Sequence, residues 1–231
     1  MIVRRLFSDL FSVILPAQCH VCGRPLPRSS EFICSGCTAD LPLASYDLKT
    51  NPISESLALI RGGLDGTAYM RYGVGNSCSR LIHDFKYRGY SRLARYLGKM
   101  AAASLRDSGF FNDVDMILPV PLHPLKQYKR GYNQAMEIAL GLSDVTGIPV
   151  GKNLRAIRSH GTQTRLTRAD RMDNVEGVFG VKNVKELEGR TLLIVDDVFT
   201  TGATLISASK AVSTECRAVR IKIFALATAH Q

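Results

Sequence analysis

Apolar positions along the chain fall into two kinds of run, and their alternation outlines an α/β protein. Short, nearly continuous apolar runs at 68–72, 114–120, 191–195 and 219–227 read as strands buried on both faces; only Asp115 interrupts the second. Between them, apolar residues recur at three- and four-residue spacing, which predicts helices over 79–87, 92–105, 134–142 and 203–214. Leu81, Ile82 and Phe85, then Leu93, Tyr96, Leu97 and Met100, form the inward faces of the first two helices. Strands that alternate with helices in this way predict a mainly parallel sheet covered on both sides. Residues 155–173 are polar and read as a loop, and 41–66 is rich in Pro, Ser and Gly with little periodicity. The second of these marks the expected junction between a small module, residues 1–50, and a larger one, residues 67–231.

The first residues carry a different pattern. Val3, Leu6, Phe7, Leu10 and Ile14 sit at helical spacing, which suits a short amphipathic helix packed on the body of the protein. Arg4 and Arg5 leave the alternative that it lies on anionic lipid. Asp9 interrupts the apolar stretch and Gln18 precedes Cys19, so neither an export signal nor a lipoprotein site is read here. No apolar run reaches the roughly 18 residues of a membrane-spanning helix. A cytoplasmic location is the expectation.

Composition narrows the picture. A length of 231 residues fits one full-sized domain and a small accessory module, and 45% hydrophobic with 22% charged residues is an ordinary globular balance. Thirty Lys and Arg against twenty Asp and Glu leave +10, which favours nucleic acid, anionic lipid or phosphorylated small molecules as partners.

Four of the six cysteines crowd into one stretch: Cys19 and Cys22, eleven intervening residues, then Cys34 and Cys37. Each CxxC lets one tight turn aim two sulfurs at a common point, and two such knuckles face to face make a closed tetrahedral site for zinc. Gly23 and Gly36 stand where such turns favour glycine, and a hairpin through 25–30 can close the spacer. A four-thiolate site has no open coordination position, so the zinc is structural. Disulfides or a redox dithiol are the alternatives, disfavoured by the absence of an export signal and by the close duplication. His20 lies inside the first knuckle and reads as a neighbour rather than a ligand, whereas Cys78 and Cys216 read as ordinary buried residues.

Residues 192–204, LLIVDDVFTTGAT, carry the sharpest chemistry. A buried strand, two carboxylates, a loop of hydroxyls and glycine, and a helix follow in order. N–H groups at a helix N-terminus suit a phosphate monoester, and Thr200, Thr201 and Thr204 add hydroxyl donors. Gly202 lets the main chain approach an anion without a Cβ in the way. Asp196 and Asp197 would repel phosphate, a conflict that eases if they accept hydrogen bonds from sugar hydroxyls with Mg²⁺ nearby. Neighbours on a regular strand point to opposite faces, so both reach one ribose only if the strand ends at this pair. A ribose 5-phosphate fits such a site. No GxxxxGK or GxGxxG is present, and only 35 residues follow Asp196, too few for a receiver domain.

The same thirteen residues resemble the PRPP (5-phospho-α-D-ribose 1-diphosphate) signature of type I phosphoribosyltransferases. Residues 117–135, ILPVPLHPLKQYKRGYNQA, residues 162–179, TQTRLTRADRMDNVEGVF, the FKYRG of 85–89 and the double cysteine knuckle extend the likeness. Over essentially its whole length the chain resembles the ComF family of competence-associated phosphoribosyltransferase-like proteins. Lys86, Pro119, Pro121, Arg130, Gly131, Asn133, Gln134, Gln163, Arg171, Asn174 and Phe179 meet the family pattern.

The resemblance implies a type I phosphoribosyltransferase-like fold behind a small zinc-ribbon-like module, and Mg²⁺-dependent PRPP binding. It assigns ribose hydroxyls to Asp196 and Asp197 and the 5-phosphate to Thr200, Thr201, Gly202, Ala203 and Thr204. Pyrophosphate falls to the turn at Leu122, His123 and Pro124, to Arg130, and to a hood over 155–171 that brings Gln163, Arg168 and Arg171. Lys86 belongs with these or forms an exposed pair with Arg88, and the hood residues read alternatively as a solvated or nucleic-acid-binding loop. Such transfer needs little acid or base chemistry, so no catalytic residue is singled out. The acceptor base or amine is not spelled by any segment. A PRPP sensor without turnover, or an accessory that binds single-stranded DNA or competence proteins, is the alternative function.

Overall fold

The computed structural model describes residues 17–44, 48, 51–57, 65–122, 124–157 and 178–229. The N-terminal helix expected before residue 17, His123, and Gln163, Arg168 and Arg171 of the expected hood lie outside the described residues.

Four strands build the central sheet: β1 (Asp65–Arg71), β2 (Met116–Pro119), β5 (Thr191–Phe199) and β6 (Arg220–Thr228). Their order is β1-β6-β5-β2, and every neighbouring pair is parallel. The register sets Ile117 beside Leu193, Ile194 beside Ile223 and Ala68 beside Ala225. Two further three-residue strands, β3 (Leu154–Ala156) and β4 (Phe179–Val181), pair antiparallel as a separate ribbon. β3 opens the segment expected to be loop; three residues are too short to show a period.

The sheet is apolar on both faces, as the runs predicted, because alternate residues feed two different cores. Ile117, Leu193, Val195, Phe224 and Leu226 join α3 (Ser77–Tyr87), α4 (Ser91–Leu105) and α6 (Gln134–Thr146) on one side through Phe85, Leu93, Leu97, Ile138 and Leu142. Leu118, Leu192, Ile194, Ile223 and Ala225 meet Leu205, Ala208 and Val212 of α8 (Ala203–Glu215) and Phe179 of β4 on the other. Local signals set the helix ends. Asn76 caps α3 by accepting from the Ser79 N–H, Asn133 caps α6 through the Ala135 N–H, and Gly147 at φ 75° stops α6. No helix among the described residues is long and apolar enough to cross a membrane.

The cysteine stretch has α1 (Ser35–Ala39) as its helix, and Gly36 lies inside it, so the second knuckle is a helix start rather than a glycine turn. Only Gly23 adopts the left-handed conformation, φ 73°. Cys19, Ile33 and Leu41 are buried in the same apolar cluster as Phe85 and Leu93. Leu43 bridges Met70 of β1. In the expected junction, a short α2 (Pro52–Leu57) is anchored by buried Asn51. The Asn51 Oδ1 accepts from the Ile53 and Ser54 N–H groups while its Nδ2 donates to the Gly66 carbonyl at 2.9 Å.

α4 and α6 approach until their backbones touch. A Cβ on Gly98 would strike the Ile138 carbonyl, and one on Gly141 would strike the Arg95 carbonyl. Beside this contact Arg95 grips Asp144 through Nε and Nη2, at 2.7 and 2.6 Å, which holds the Asp144 carboxyl down at about 2. Gly141→Ala therefore forces the helices apart, and a loss of about 2 kcal/mol or more is expected in the urea midpoint. A variant with an unchanged midpoint would show that the close approach is not required.

Candidate functional site

A cleft opens beyond the carboxyl ends of β2 and β5, where the chain leaves these neighbouring strands toward opposite sides of the sheet; such a switch point is where open α/β sheets place ligands. Val120, Pro121 and Leu122 from the end of β2, Lys126 and Arg130 from α5 (Pro124–Arg130), and Asn133 and Gln134 from the start of α6 form one wall. Asp196, Asp197 and Thr204 form the floor and opposite wall, with Phe179 of the ribbon at the rim and Lys86 reaching in from α3.

β5 does not end at the carboxylates. It continues to Phe199, still in register with β6, so that Asp196 lies beside Ala225 and Phe199 beside Thr228. Strict alternation is not kept around the pair: Val195 and Val198 both pack in the cluster of α3 while Phe199 packs in that of α8. Both carboxylates line the cleft although the strand continues past them. Asp197 receives the Lys86 ammonium at 2.8 Å, and both side chains are largely buried. Arg88 lies exposed near Asp84, so it and Lys86 are no surface pair. Asp196 accepts from the Asp197 N–H at 2.8 Å. Burial, and then the charge of Asp197, push the Asp196 carboxyl up to about 7 against the pull of that N–H, Lys86 and Arg130.

The stretch expected to bind phosphate folds as a loop into a helix start. Gly202 is buried at φ 74° at the N-cap position of α8, and a Cβ there would lie 2.6 Å from the Phe199 ring. Glycine is therefore required twice, by conformation and by space. Thr200 and Thr201 are exposed, Ala203 begins the helix, and Thr204 faces the cleft. Of the residues expected at pyrophosphate, Lys86, Leu122 and Arg130 reach the cleft.

Two lining residues had been given no role. Lys126 stands on the exposed α5, which buries none of its residues. Gln134 is 1% exposed; its Oε1 accepts from Arg130 Nη1 at 3.1 Å, and its Nε2 has no hydrogen-bond partner. A buried donor left unpaired costs free energy, and this amide lines the cleft where a bound group could accept from it. Its signal in the sequence is a polar side chain straight after the Asn133 cap, where an inward-facing helix position would otherwise be apolar.

The four cysteine sulfurs lie within 4.8 Å of one another and constitute the group suited to a metal ion among the described residues. Cys22 and Cys34 Sγ are 3.9 Å apart, close to the edge of about 3.8 Å of a tetrahedron with sulfurs about 2.3 Å from its centre, and far beyond a disulfide. A hydrogen bond from Arg24 lowers the Cys22 thiol to about 6, while burial pushes Cys37 up to about 12. A soft divalent cation among the four offsets the cost of ionising them all. His20 is turned away, donating from Nδ1 to Asp84 at 2.6 Å. Cys78 and Cys216 are buried, and burial raises both thiols.

The Phosphoribosyl transferase domain family matches residues 93–231, well over half of the chain. Competence protein F of Haemophilus influenzae is 33% identical over 137 residues, covering 57% of this chain and 60% of that protein, so the chain spans less than two thirds of that relative. Competence protein ComFC of Bacillus subtilis is 25% identical over 211 residues, 90% of this chain and 76% of that protein. Among solved structures, glutamine phosphoribosylpyrophosphate (PRPP) amidotransferase from B. subtilis aligns with 61% of this chain and 30% of its own, at 21% identity and a TM-score of 0.41.

The raised Asp196 carboxyl has a stability consequence. Between about pH 4 and 7 the folded protein holds this proton while the unfolded chain has released it, so stability from this group falls as pH rises through that window. Asp196→Asn should accordingly raise the Tm at pH 8 and leave it near wild type at pH 4. Equal shifts at both pH values would refute the assignment.

Proposed function

The chain belongs to the phosphoribosyl transferase domain family, as a ComF-type member with an N-terminal four-cysteine module, and on that footing we propose that its cleft binds PRPP with Mg²⁺. We further propose that it works in competence, as the names of both relatives suggest, by transferring ribose 5-phosphate to an acceptor. The observation that carries this reading is the convergence on one cleft of the Asp196–Asp197 pair, the α8 N-terminus and a wall of cations.

In this reading Thr200, Thr201, Gly202, Ala203 and Thr204 take the 5-phosphate, whose charge the α8 N–H groups favour. Asp196 and Asp197 accept from the ribose hydroxyls, with Lys86 holding Asp197 in place. Lys126, Arg130 and the free amide of Gln134 take the diphosphate on the opposite wall. When the C1–O bond breaks, charge develops on the departing diphosphate, and preorganised cations stabilise it more than the ground state. Mg²⁺, when bound, would supply further neutralisation of that charge. The cysteine module holds one structural zinc, and reduced thiols fit a cytoplasmic location.

One observation favours a second reading. Tyr128 is 90% exposed beside Lys126 and Lys129, and Tyr87 lies under Arg130, an arrangement of aromatic faces among cations that suits single-stranded DNA.

Titration of Mg²⁺–PRPP into the protein by calorimetry separates the readings. Binding is expected for the wild type, loss in the Asp196→Ala/Asp197→Ala double variant, and about tenfold weakening in Gln134→Met from one lost ligand hydrogen bond. Wild-type protein that binds no PRPP would overturn the proposal and favour DNA; given binding, pyrophosphate release across a panel of bases separates transferase from sensor. Elemental analysis of protein purified without chelator should find one zinc per chain, and its removal should lower the Tm. Protein free of metal would refute the zinc assignment.

A further inference from the structure

Among the described residues the cysteine module packs against α3, and α3 also sends a side chain into the cleft. His20 Nδ1 donates to Asp84 Oδ2 at 2.6 Å, across 64 residues, and both side chains are nearly buried. Around this bond Arg80 Nη1 donates to the Val21 carbonyl at 3.0 Å, and the His20 ring meets Tyr90 edge-on at 4.5 Å. Arg80 and Asp84 lie on α3, and Tyr90 follows its end. Two positions beyond Asp84, on the same last turn, Lys86 sends its ammonium into the cleft to Asp197 at 2.8 Å.

Two residues on an α-helix are separated by about 200° around the axis, so Asp84 and Lys86 leave opposite sides of α3. Between them Phe85 is fully buried, and its carbonyl accepts from the Tyr132 hydroxyl. Beyond them the helix ends: Tyr87 and Arg88 are exposed, and Gly89 turns at φ 78°. A lysine loses much rotamer freedom when held to one partner, so its Cα must be fixed for the pair to persist. Phe85, the Tyr132 hydroxyl and Arg130 over the Tyr87 ring hold one side of the last turn of α3, and the knuckle, through His20, holds the Asp84 side.

We propose that His20 and Asp84 are positioning residues for the cleft: the His20–Asp84 hydrogen bond clamps the end of α3 to the cysteine module and thereby holds Lys86 at Asp197. The module acts as a strut for the ligand site as well as a fold-stabilising unit. The clamp's consequence for ligand binding rests on the PRPP reading above; its effect on Lys86 does not.

The test uses the full-length, metal-loaded protein. Trace acetylation with acetic anhydride, read by peptide mass spectrometry, reports how much of Lys86 is free, with exposed Lys185 and Lys210 as internal standards. Labelling of Lys86 should rise about tenfold in His20→Ala and in Asp84→Ala, the scale of losing a charge-assisted hydrogen bond. His20→Asn, whose amide nitrogen occupies the place of Nδ1, should restore protection. Arg92→Ala, which removes the exposed Arg92–Glu31 bridge between module and body, should leave Lys86 unchanged. In the same variants Mg²⁺–PRPP affinity should fall and recover in parallel with Lys86 protection, at constant metal content. Unaltered Lys86 labelling in Asp84→Ala, a variant that leaves the knuckle sequence intact, would overturn the clamp, as would an equal rise in labelling in Arg92→Ala. If the wild type binds no PRPP, the functional reading falls and Lys86 labelling alone decides the clamp.

Discussion

The pairing of Lys86 with Asp197 is what lets the central strand carry two adjacent carboxylates to the edge of the core. β5 is flanked by β2 and β6 and buried on both faces through Val195, so a charge at its end emerges among apolar side chains on either side of the sheet. The two carboxylates meet this differently. Asp197 faces α3 and is paired with an ammonium at 2.8 Å, whereas Asp196 has an N–H hydrogen bond, and burial and the Asp197 charge raise it to about 7. Adjacent residues of the same type thus meet different surroundings because only one of them has a cation at contact distance.

That pairing depends on contacts far apart in the sequence, and it marks the limit of what the sequence alone discloses. The strand, loop and helix start of 192–204 were legible because the parts are contiguous: apolar run, carboxylates, hydroxyls, glycine and helix follow one another. The two-faced core was legible because alternate residues of each apolar run go to opposite sides. Extent was less so. The apolar run stops at Val195, yet β5 continues to Phe199 because backbone pairing with β6 does not require apolar side chains. The polar residues Ser143 and Asp144 hid the last turn of α6, where Asp144 points outward to Arg95. Lys86–Asp197 and His20–Asp84 span 111 and 64 residues and arise from packing alone, so no local pattern carried them.

The small size of the cysteine module explains why it leans on the larger body. A few dozen residues cannot enclose a core of their own, and a metal held by the four cysteines would staple them locally without supplying apolar burial. Cys19 and Ile33 are therefore buried in the cluster that holds Phe85 and Leu93. Shared burial of this kind makes the module's seat and the placement of α3 one structural problem: whatever moves the knuckle moves the surface against which α3 is packed.

The charges in the cleft then constrain what it can accept. Lys86 is committed to Asp197, which leaves Lys126 and Arg130 as the other cations among the described lining residues. Asp196 offsets one of them when ionised. A sugar bearing both a monophosphate and a diphosphate brings several negative charges, more than this remainder neutralises. The α8 N-terminus contributes about half a charge at the phosphate end, and the Gln134 amide contributes a donor without charge. Under the PRPP proposal, affinity would therefore depend on an added cation such as Mg²⁺, which would also favour the ionised form of Asp196. Cation arrival and proton release at Asp196 would then be one coupled event, because the cation that offsets the ligand's charge also stabilises the ionised carboxyl.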